Sequence, residues 1–276
     1  MHDVAQTCVQ LYNQLRRQGR TPDELALIHR TYRFLITIYP SHFQAAGKPF
    51  VDHGVGVASI LAGLGLPIEI VATGLAHNVY GNGDFGDGLH NALTRKRRAL
   101  VREALGDTVE ELIASFGTMR SEIGLNSGLI ANVQGMSETW RHLLLIELAD
   151  TMEHYVDQGV MYYGDGSWVT DRMRDCGARF VEIAAELGYP KLAREMRECI
   201  AAVDAAPEVP AMLRGDPGQR YMRLTVPRSC RIRGRLIWRQ RALRLRARVW
   251  HAVRATLPRR FGDQLAASIA SMRHSG

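Results

Sequence analysis

The sequence predicts an all-α fold. Apolar residues recur at intervals of three and four through most of the first 203 residues, and several of these segments start at residues that commonly cap helices. No segment keeps the strict alternation of apolar and polar residues that is typical of strands. Because 46% of the 276 residues are hydrophobic, the chain can bury a sizeable core.

Helix boundaries in the first 80 residues follow from capping residues. Thr21 precedes Pro22 and lies three residues before Glu24, which is the pattern of a helix start. Pro40 ends this helix, because the residue before a proline disfavours helical geometry. Glycine and proline separate the next two helices in a similar way. Helices are therefore predicted at 3–17, 22–38, 52–64 and 67–80.

A glycine-rich, acidic loop at residues 81–88 directly follows His77 and Asn78. Such a loop can form the wall of a site, although a plain surface turn has the same composition. Residues 117–137 mix glycine, serine and asparagine with apolar residues and are expected to be irregular. Around them, helices are predicted at 95–105, 109–116, 137–158, 168–187 and 190–202.

Charge divides the chain into an acidic body and a basic tail. Residues 205–276 contain 16 Arg and Lys against 3 Asp and Glu, a net charge of +13. The first 204 residues contain 19 Arg and Lys against 25 Asp and Glu, a net charge of −6. The asymmetry indicates two units with different roles. We therefore predict a helical domain at 1–203, a linker at 204–230 and an Arg-rich tail at 231–276.

The tail is predicted to be a basic amphipathic helix. Arginines alternate with apolar residues over 231–257, and Leu236, Leu243, Trp250 and Leu257 repeat every seven residues. Three partners fit this pattern: an anionic membrane surface, nucleic-acid phosphates, or an acidic protein surface, including the body itself. An arginine-rich genome would also produce it without any partner. The wide apolar stripe and the lack of a recognised nucleic-acid module favour peripheral docking over nucleic-acid binding.

A cytoplasmic location is expected, and the tail leaves peripheral membrane contact open as one alternative. Residues 1–17 lack the basic and apolar segments of a signal peptide, and no apolar run reaches the length of a membrane span. The four cysteines are far apart and form no Cys-x-x-Cys pair, so reduced thiols are expected rather than a zinc ribbon or a redox motif.

Three separated helices each carry one residue suited to metal binding. His53 and His77 lie within apolar helical runs, and Asp150 lies beside the apolar stripe of the predicted helix 137–158. A buried carboxylate needs a partner, because burying an unpaired charge is costly. A metal ion would serve, and so would an ion pair with Arg141 or Lys48. The residues alone leave these alternatives open.

The order of these motifs resembles the HD-domain superfamily of metal-dependent phosphohydrolases. The resemblance lies in the runs 47–61 around His53, 72–77 ending at His77, and Leu148-Ala149-Asp150, with the segment 105–113 between them. It covers roughly residues 20–185, and the nearest pattern is that of alarmone (ppGpp) hydrolase domains. It implies a helical bundle in which His53, His77 and Asp150 bind a divalent ion, Mn or Fe foremost, with Zn or Mg as further candidates.

The sequence departs from the HD pattern beside His77. Asn78 replaces the aspartate of the His-Asp pair, so one ion is expected rather than two, with Asn78 as a weak fourth ligand or a hydrogen-bond donor near the ion. Gly81 and Asn82 occupy the positions of the acidic pair that follows in the hydrolases. Asp84, or less favourably Asp87, is the remaining candidate for the general base. The arginine that contacts guanine has no counterpart at residues 42–45, so hydrolysis of ppGpp itself is not expected.

Other polar residues near the motifs have weaker assignments. His154 lies one helical turn beyond Asp150 and is a candidate ligand or ligand support, and His42 is a candidate substrate contact. His90 keeps an oxygenase alternative open, since HD-type di-iron oxygenases use additional histidines. Lys48 and the basic run 95–98 are candidate phosphate neutralisers, although a solvated helix start explains the run equally well.

Three functions are consistent with this pattern. The first is a mononuclear metal-dependent hydrolase acting on a small phosphate ester or related anionic metabolite, with Asp84, Asn78 and Lys48 assisting the ion. The second is an HD-type ligand-binding or regulatory module that has lost catalysis. The third is an HD-type di-iron oxygenase.

Overall fold

The structure, a computed structural model, describes residues 4–40, 42–125, 133–164, 167–215 and 222–224, and also 242, 245, 246 and 249. Side chains are described for these residues except 121–125, 167–176 and 222–224. Within these residues the α-helices are α1 Cys8–Arg17, α2 Pro22–Ile38, α3 Phe50–Gly63, α4 Ile68–Ala76, α5 Val79–Asn82, α6 Arg95–Leu105, α7 Asp107–Leu125, α8 Glu138–Tyr155, α9 Ser167–Glu186 and α10 Pro190–Asp204. The predicted all-α fold class is confirmed.

One small sheet accompanies the helices in the described residues. Strand β1, His42–Gln44, pairs antiparallel with β2, Met222–Leu224, with Phe43 opposite Arg223. The chain forms two compact units, residues 1–225 and 226–276. In the second unit the four described residues are helical, and Leu245 and Val249 are exposed. The rest of the predicted amphipathic tail helix lies outside the described residues.

Helix caps explain where the first helices begin. Thr21 and Glu24 form the predicted capping box at the start of α2, with Pro22 as the first helical residue. Thr7 and Gln10 form a second capping box, so α1 begins at Cys8 and not at residue 3 as the apolar spacing suggested. The side-chain oxygen of Thr7 accepts a hydrogen bond from the backbone N–H of Gln10, which stabilises the start of α1.

Helices α3, α4 and α8 form the centre of the bundle. Almost every residue of α3 from Phe50 to Ala62 is buried, as is nearly every residue of α4 and most of α8. Helices α3 and α4 are apolar on nearly all sides because neighbours cover them on all sides, whereas α8 also buries Glu147, Asp150 and Glu153. Helix α3 packs on both α4 and α8, while α8 also contacts α7, α9 and α10. The three helices that carry His53, His77 and Asp150 are therefore adjacent.

Glycines allow α3 and α4 to approach closely. A Cβ atom added at Gly54 would overlap the backbone carbonyl of Leu75, and one added at Gly74 would overlap the side chain of Leu61. Backbone atoms cannot move aside as a flexible side chain can. At Gly54 the two helices therefore pack at a separation that only glycine permits, whereas the overlap at Gly74 is with a side chain.

Two sequence expectations about helices were wrong. The segment predicted as one helix from 67 to 80 is interrupted, because α4 ends at Ala76 and a short α5 starts at Val79. Residues 117–125, expected to be irregular, continue α7 from Asp107 to Leu125. The second difference matters for the site, since it places Arg120 on a helix that packs against α8.

No helix in the described part of the chain is both long and apolar enough to span a membrane.

Candidate metal centre

His53, His77 and Asp150 meet in the interior of the bundle. The Nε2 atom of His53 lies 2.9 Å from Asp150 Oδ1, and the Nε2 atom of His77 lies 3.2 Å from the same oxygen. The two imidazole side chains are 1% exposed and the Asp150 side chain is 6% exposed. One ligand atom from each residue lies within 4.8 Å of the others, so the three could hold a metal ion.

Two further residues of α8 complete what we call the histidine–carboxylate cluster: His53, His77, Asp150, Glu153 and His154. Glu153 Oε2 is hydrogen-bonded to Nδ1 of His53, and its other oxygen is paired with Lys48. Nε2 of His154 lies 3.9 Å from Asp150 Oδ1, and its ring stacks on that of His53 with centroids 5.0 Å apart. His53, Glu153 and His154 are a second group that could hold an ion.

The hydrogen bonds decide which nitrogen of each histidine faces Asp150. The carbonyl oxygen of Gly74 can only accept, so His77 Nδ1 donates to it over 2.7 Å. This carbonyl lies in the last turn of α4, where it has no helical partner, and the bond holds the ring just beyond the end of the helix. An ionised Glu153 can likewise only accept from His53 Nδ1. In both rings, Nε2 is left directed at Asp150.

Burial and charge shift the pKa values of the cluster in opposite directions. Burial raises the pKa of Asp150, but the nearby His77 and His53 hold it well below its usual value. Burial also raises the pKa of Glu153, but His53 and Lys48 lower it. Burial lowers the pKa of His53, but the negative charges of Glu153 and Asp150 outweigh it and raise that pKa to about 9. The pKa of His154 falls to about 4 because of burial and of nearby His53.

Arg120 of α7 contacts the far side of Asp150. Its guanidinium lies 3.1 Å from Glu147 Oε2 and 3.6 Å from Asp150 Oδ2 and is placed over the ring of Phe116. A cavity of about 480 Å³ opens beside this arginine. It is bounded by α5, α7, the turn between α4 and α5, and the loop before α6. Its lining includes His77, Asn78, Tyr80, Asn91, Phe116 and Arg120.

The size and position of this cavity suit a small ligand. Ligand sites commonly occupy about 300–1,000 Å³ and combine apolar walls with a few polar groups. A second cavity, of about 580 Å³, lies between α1, α3 and α10 and contains no residue of the cluster. The smaller cavity is therefore the better candidate for binding chemistry, since His77 is one of its walls.

The other predicted site residues lie in different places. Asn78 lines the cavity, and its Nδ2 lies 2.6 Å from His77 Nε2. Lys48 belongs to the support of the cluster through Glu153. Asp84 accepts a hydrogen bond from the backbone of Gly86, and among the described residues no hydrogen bond or ion pair joins it to the cluster. Asp87 is bound by Arg97 through two hydrogen bonds of 2.8 and 2.6 Å.

The remaining candidates fall outside the cluster as well. His90 is exposed, while His42 is buried next to Tyr39. In the basic run, Arg97 is paired with Asp87 and Arg98 with buried Glu110. The interpretation of this run as a solvated helix start is therefore incomplete, because Arg97 and Arg98 form ion pairs that connect α6 to neighbouring segments.

Sequence reasoning missed Glu153 and Arg120. Glu153 could have been found from its spacing, since positions three and four residues after Asp150 share its helix face. Arg120 could not, because its segment was expected to be irregular.

The comparison with protein families gives one match. A family model described as a domain of unknown function, DUF6817, matches residues 34–120. No curated protein matches the chain. The matched segment contains His53, His77, Asn78 and Arg120, and it ends before α8, which supplies Asp150. The similarity to that family therefore covers the segment that supplies His53, His77 and Arg120, but not the helix that supplies Asp150.

Proposed function

We propose that the protein is a metal-dependent hydrolase of the HD type, with one divalent ion bound by His53, His77 and Asp150. A single observation carries the proposal. Two imidazoles that donate from Nδ1 to other acceptors direct Nε2 at one carboxylate oxygen, at 2.9 and 3.2 Å. A neutral ring would present a lone pair to that oxygen, which is unfavourable unless a cation lies between them.

Protons satisfy this arrangement less completely than a metal ion does. With a pKa of about 9, His53 can donate from Nε2 to Asp150 in the metal-free protein, which leaves His77 facing the same oxygen. Protonating both rings would place two imidazolium groups, with centroids 5.3 Å apart, in a region almost closed to water. Like charges this close repel strongly when buried. A divalent ion satisfies both nitrogens and the carboxylate with one group. Imidazole and carboxylate are the donors that Mn, Fe and Zn accept in proteins.

The charges favour the Asp150 side of His53 over the Glu153 side. Lys48 contacts one oxygen of Glu153, so an ion bound by the second group would face an ammonium. Glu153 instead orients His53, as carboxylates near metal sites commonly do for ligating histidines. This argument supports one ion rather than two. For the same reason we do not propose the di-iron oxygenase.

The surroundings of the site suit an anionic substrate. Around Asp150 lie the carboxylates of Glu147 and Glu153 and the cations of Lys48 and Arg120. With the imidazoles neutral, as they are when they bind a metal ion, these five groups carry a net charge of −1. A divalent ion changes this charge to +1. Arg120 also lines the cavity, where its planar guanidinium can bind a phosphate oxygen. We propose a small phosphate ester as the substrate class.

The residues of this chain would position the substrate and the ion would activate water. When bound, such an ion lowers the pKa of a coordinated water and polarises a phosphoryl oxygen. Arg120 and the amide of Asn78 would orient the substrate at the open side of His77. Asn78 now donates to His77 Nε2, so its amide has to turn away when that nitrogen binds an ion.

A ligand-binding module without catalysis is the second candidate. One observation favours it: the described residues that line the cavity include no carboxylate, so no lining side chain is an obvious general base. The same ion and the same phosphate contacts would then serve binding alone. Turnover separates this function from hydrolysis, whereas metal content does not.

Elemental analysis of purified protein, loaded anaerobically with Mn, Fe or Zn, tests the proposal. We expect about one ion per chain, lost in His77→Gln and Asp150→Asn. His90→Gln is the matched control, since His90 is exposed. Hydrolysis of a panel of phosphomonoesters and nucleotides by the loaded protein then distinguishes enzyme from binding module. Absence of bound metal under every loading condition would refute both, and metal lost in the control variant would favour the oxygenase.

A further inference from the structure

His154 occupies the fourth corner around Asp150. Its Nε2 lies 3.9 Å from Asp150 Oδ1, which is the oxygen that the Nε2 atoms of His53 and His77 also approach. Asp150 and His154 are four residues apart on α8, so their side chains leave the helix on the same face. The Nε2 atoms of three histidines therefore approach one carboxylate oxygen, and His154 is the most distant of the three.

His154 is held in place in the same way as the other two rings. Its Nδ1 is 2.6 Å from the hydroxyl of Tyr163, just as Nδ1 of His53 and of His77 each bond an oxygen. Tyr163 reaches this position because the chain turns back after α8 through the 3-10 segment Val156–Tyr162. Asp157 and Gln158 have positive φ values of 53° and 59° in that turn. The turn thus places the buried hydroxyl of Tyr163 beside Nδ1 of His154.

We propose that His154 is the fourth protein ligand of the metal ion, giving three histidine nitrogens and one carboxylate oxygen. The inference rests on the proposed function, because it assumes that an ion binds at His53, His77 and Asp150. Ligands of a tetrahedral ion with bonds of about 2.1 Å lie about 3.4 Å apart. The 3.9 Å separation of His154 and Asp150 therefore has to shorten by about half an ångström. His154 also has to move toward the group that His53, His77 and Asp150 already form within 4.8 Å of one another.

His154 in this role explains how the site tolerates Asn78. A carboxamide is a weak ligand, and the Asn78 side chain lines the cavity with its Nδ2 2.6 Å from His77 Nε2. With His154 as a ligand, the ion keeps four protein donors while Asn78 remains available to the substrate. The residue that replaces the missing carboxylate then comes from α8 and not from the end of α4.

The donor set also narrows the choice of metal. Mg²⁺ prefers oxygen ligands and keeps several waters, whereas three imidazoles suit Zn, Fe and other transition metals. We expect the protein to bind Co²⁺, Fe²⁺ or Zn²⁺ at least 100-fold more tightly than Mg²⁺.

X-ray absorption spectroscopy of the Co²⁺-loaded full-length protein tests the assignment directly, because it counts imidazole ligands without any substitution. We expect three imidazoles in the wild type and two in His154→Gln, with a changed visible absorption of the Co²⁺ ion and an affinity lowered at least tenfold. His142→Gln, on the same helix and outside the cluster, is the matched control and should change neither. Tyr163→Phe should keep three imidazoles and weaken binding about tenfold.

The outcomes separate the two proposals. Two imidazoles in both the wild type and His154→Gln, with Co²⁺ still bound, would overturn the role of His154 and leave the metal site of the proposed function intact. No Co²⁺ bound to the wild type would overturn both. Because the count is made on the wild type, a His154→Gln variant that fails to fold does not prevent the test.

Discussion

Gly56 on α3 leaves the space that the side chain of Glu153 on α8 occupies. A Cβ atom at Gly56 would lie 2.6 Å from Glu153 Oε1 and 2.7 Å from its Cγ. Only because this position has no side chain can the carboxylate cross α3 and reach His53 and Lys48. The orientation of a candidate metal ligand thus depends on a glycine three residues along the same helix.

Replacing this glycine should damage the metal site. In Gly56→Ala, the added methyl displaces Glu153 from His53, and we expect metal affinity to fall about 10- to 100-fold, as it commonly does when a ligand loses its supporting carboxylate. The free energy of unfolding should fall by about 1–3 kcal/mol from overpacking. Isothermal titration with Zn²⁺ and denaturant unfolding measure the two effects. Gly63→Ala is the control, since its nearest neighbour is 3.9 Å away, and equal losses in both variants would contradict the argument.

Asn78→Asp should strengthen metal binding. The substitution places a carboxylate within reach of His77 Nε2, where an amide now donates a hydrogen bond. An additional negative ligand raises the affinity for a divalent cation, and we expect a gain of at least tenfold. Without metal, the new charge lies close to Asp150, so the metal-free variant should be less stable than the wild type. Titration with Mn²⁺ and thermal unfolding with and without the ion measure both effects. A variant with unchanged affinity would argue that Asn78 lies too far from the ion to act as a ligand.

Arg120 should control the binding of phosphate rather than of metal. It lines the cavity and lies 3.6 Å from Asp150 Oδ2, on the side opposite the histidines. In Arg120→Ala, we expect affinity for inorganic phosphate in the metal-loaded protein to fall about 10- to 100-fold, which is about 1.4–2.8 kcal/mol. Metal affinity should change much less. Titration calorimetry with phosphate measures the effect, and Arg194→Ala, an exposed arginine outside the cavity, is the control. An equal loss of metal and phosphate binding would instead indicate a structural role for Arg120.

Tyr80 and Glu110 should be energetically coupled. The Glu110 side chain is fully buried and accepts hydrogen bonds from the Tyr80 hydroxyl, Arg98 and Arg102. Tyr80→Phe should lower the free energy of unfolding by about 1 kcal/mol, because one bond to a buried charge is lost. Glu110→Gln should cost about 3 kcal/mol, because it leaves the arginine pair without its anion. A double-mutant cycle measured by urea unfolding should show coupling of at least about 0.5 kcal/mol, and strict additivity would contradict the assignment.

Asp87 should make stability depend on pH in mild acid. The hydrogen bonds from Arg97 lower the pKa of Asp87 to about 2, despite partial burial that opposes the shift. A carboxyl with a lowered folded-state pKa stabilises the fold above its unfolded pKa of about 3.9, and this contribution disappears as pH falls toward 2. Asp87→Asn should therefore be about 1–2 kcal/mol less stable than the wild type at pH 7, allowing for the partial exposure of the pair.

The difference between wild type and Asp87→Asn should shrink as pH falls from about 5 to 3. Denaturant unfolding across this range measures it. Asp23→Asn, in the first turn of α2 and not part of this ion pair, controls for the general effect of removing a carboxylate. A difference that stays constant down to pH 3 would show that the charge of Asp87 is not what stabilises the loop around buried Arg97.

Sequence patterns predicted the parts of this fold that depend on local chemistry. The capping box of Thr21 and Glu24 and the apolar run of α3 specify their helices through bonds and contacts a few residues apart. The motifs around His53, His77 and Asp150 singled out the residues that the structure brings together. These three residues lie close together because α3, α4 and α8 are mostly buried and pack against one another in the core.

Tertiary structure decided the contacts that cross between helices. Nothing near Gly56 in the sequence indicates Glu153, and nothing near Arg120 indicates Asp150, because these pairs come from different helices and leave no periodic signal. Local chemistry thus determined which helices form and which residues are candidates. Packing of those helices determined which atoms face one another, and with them the chemistry that the site can perform.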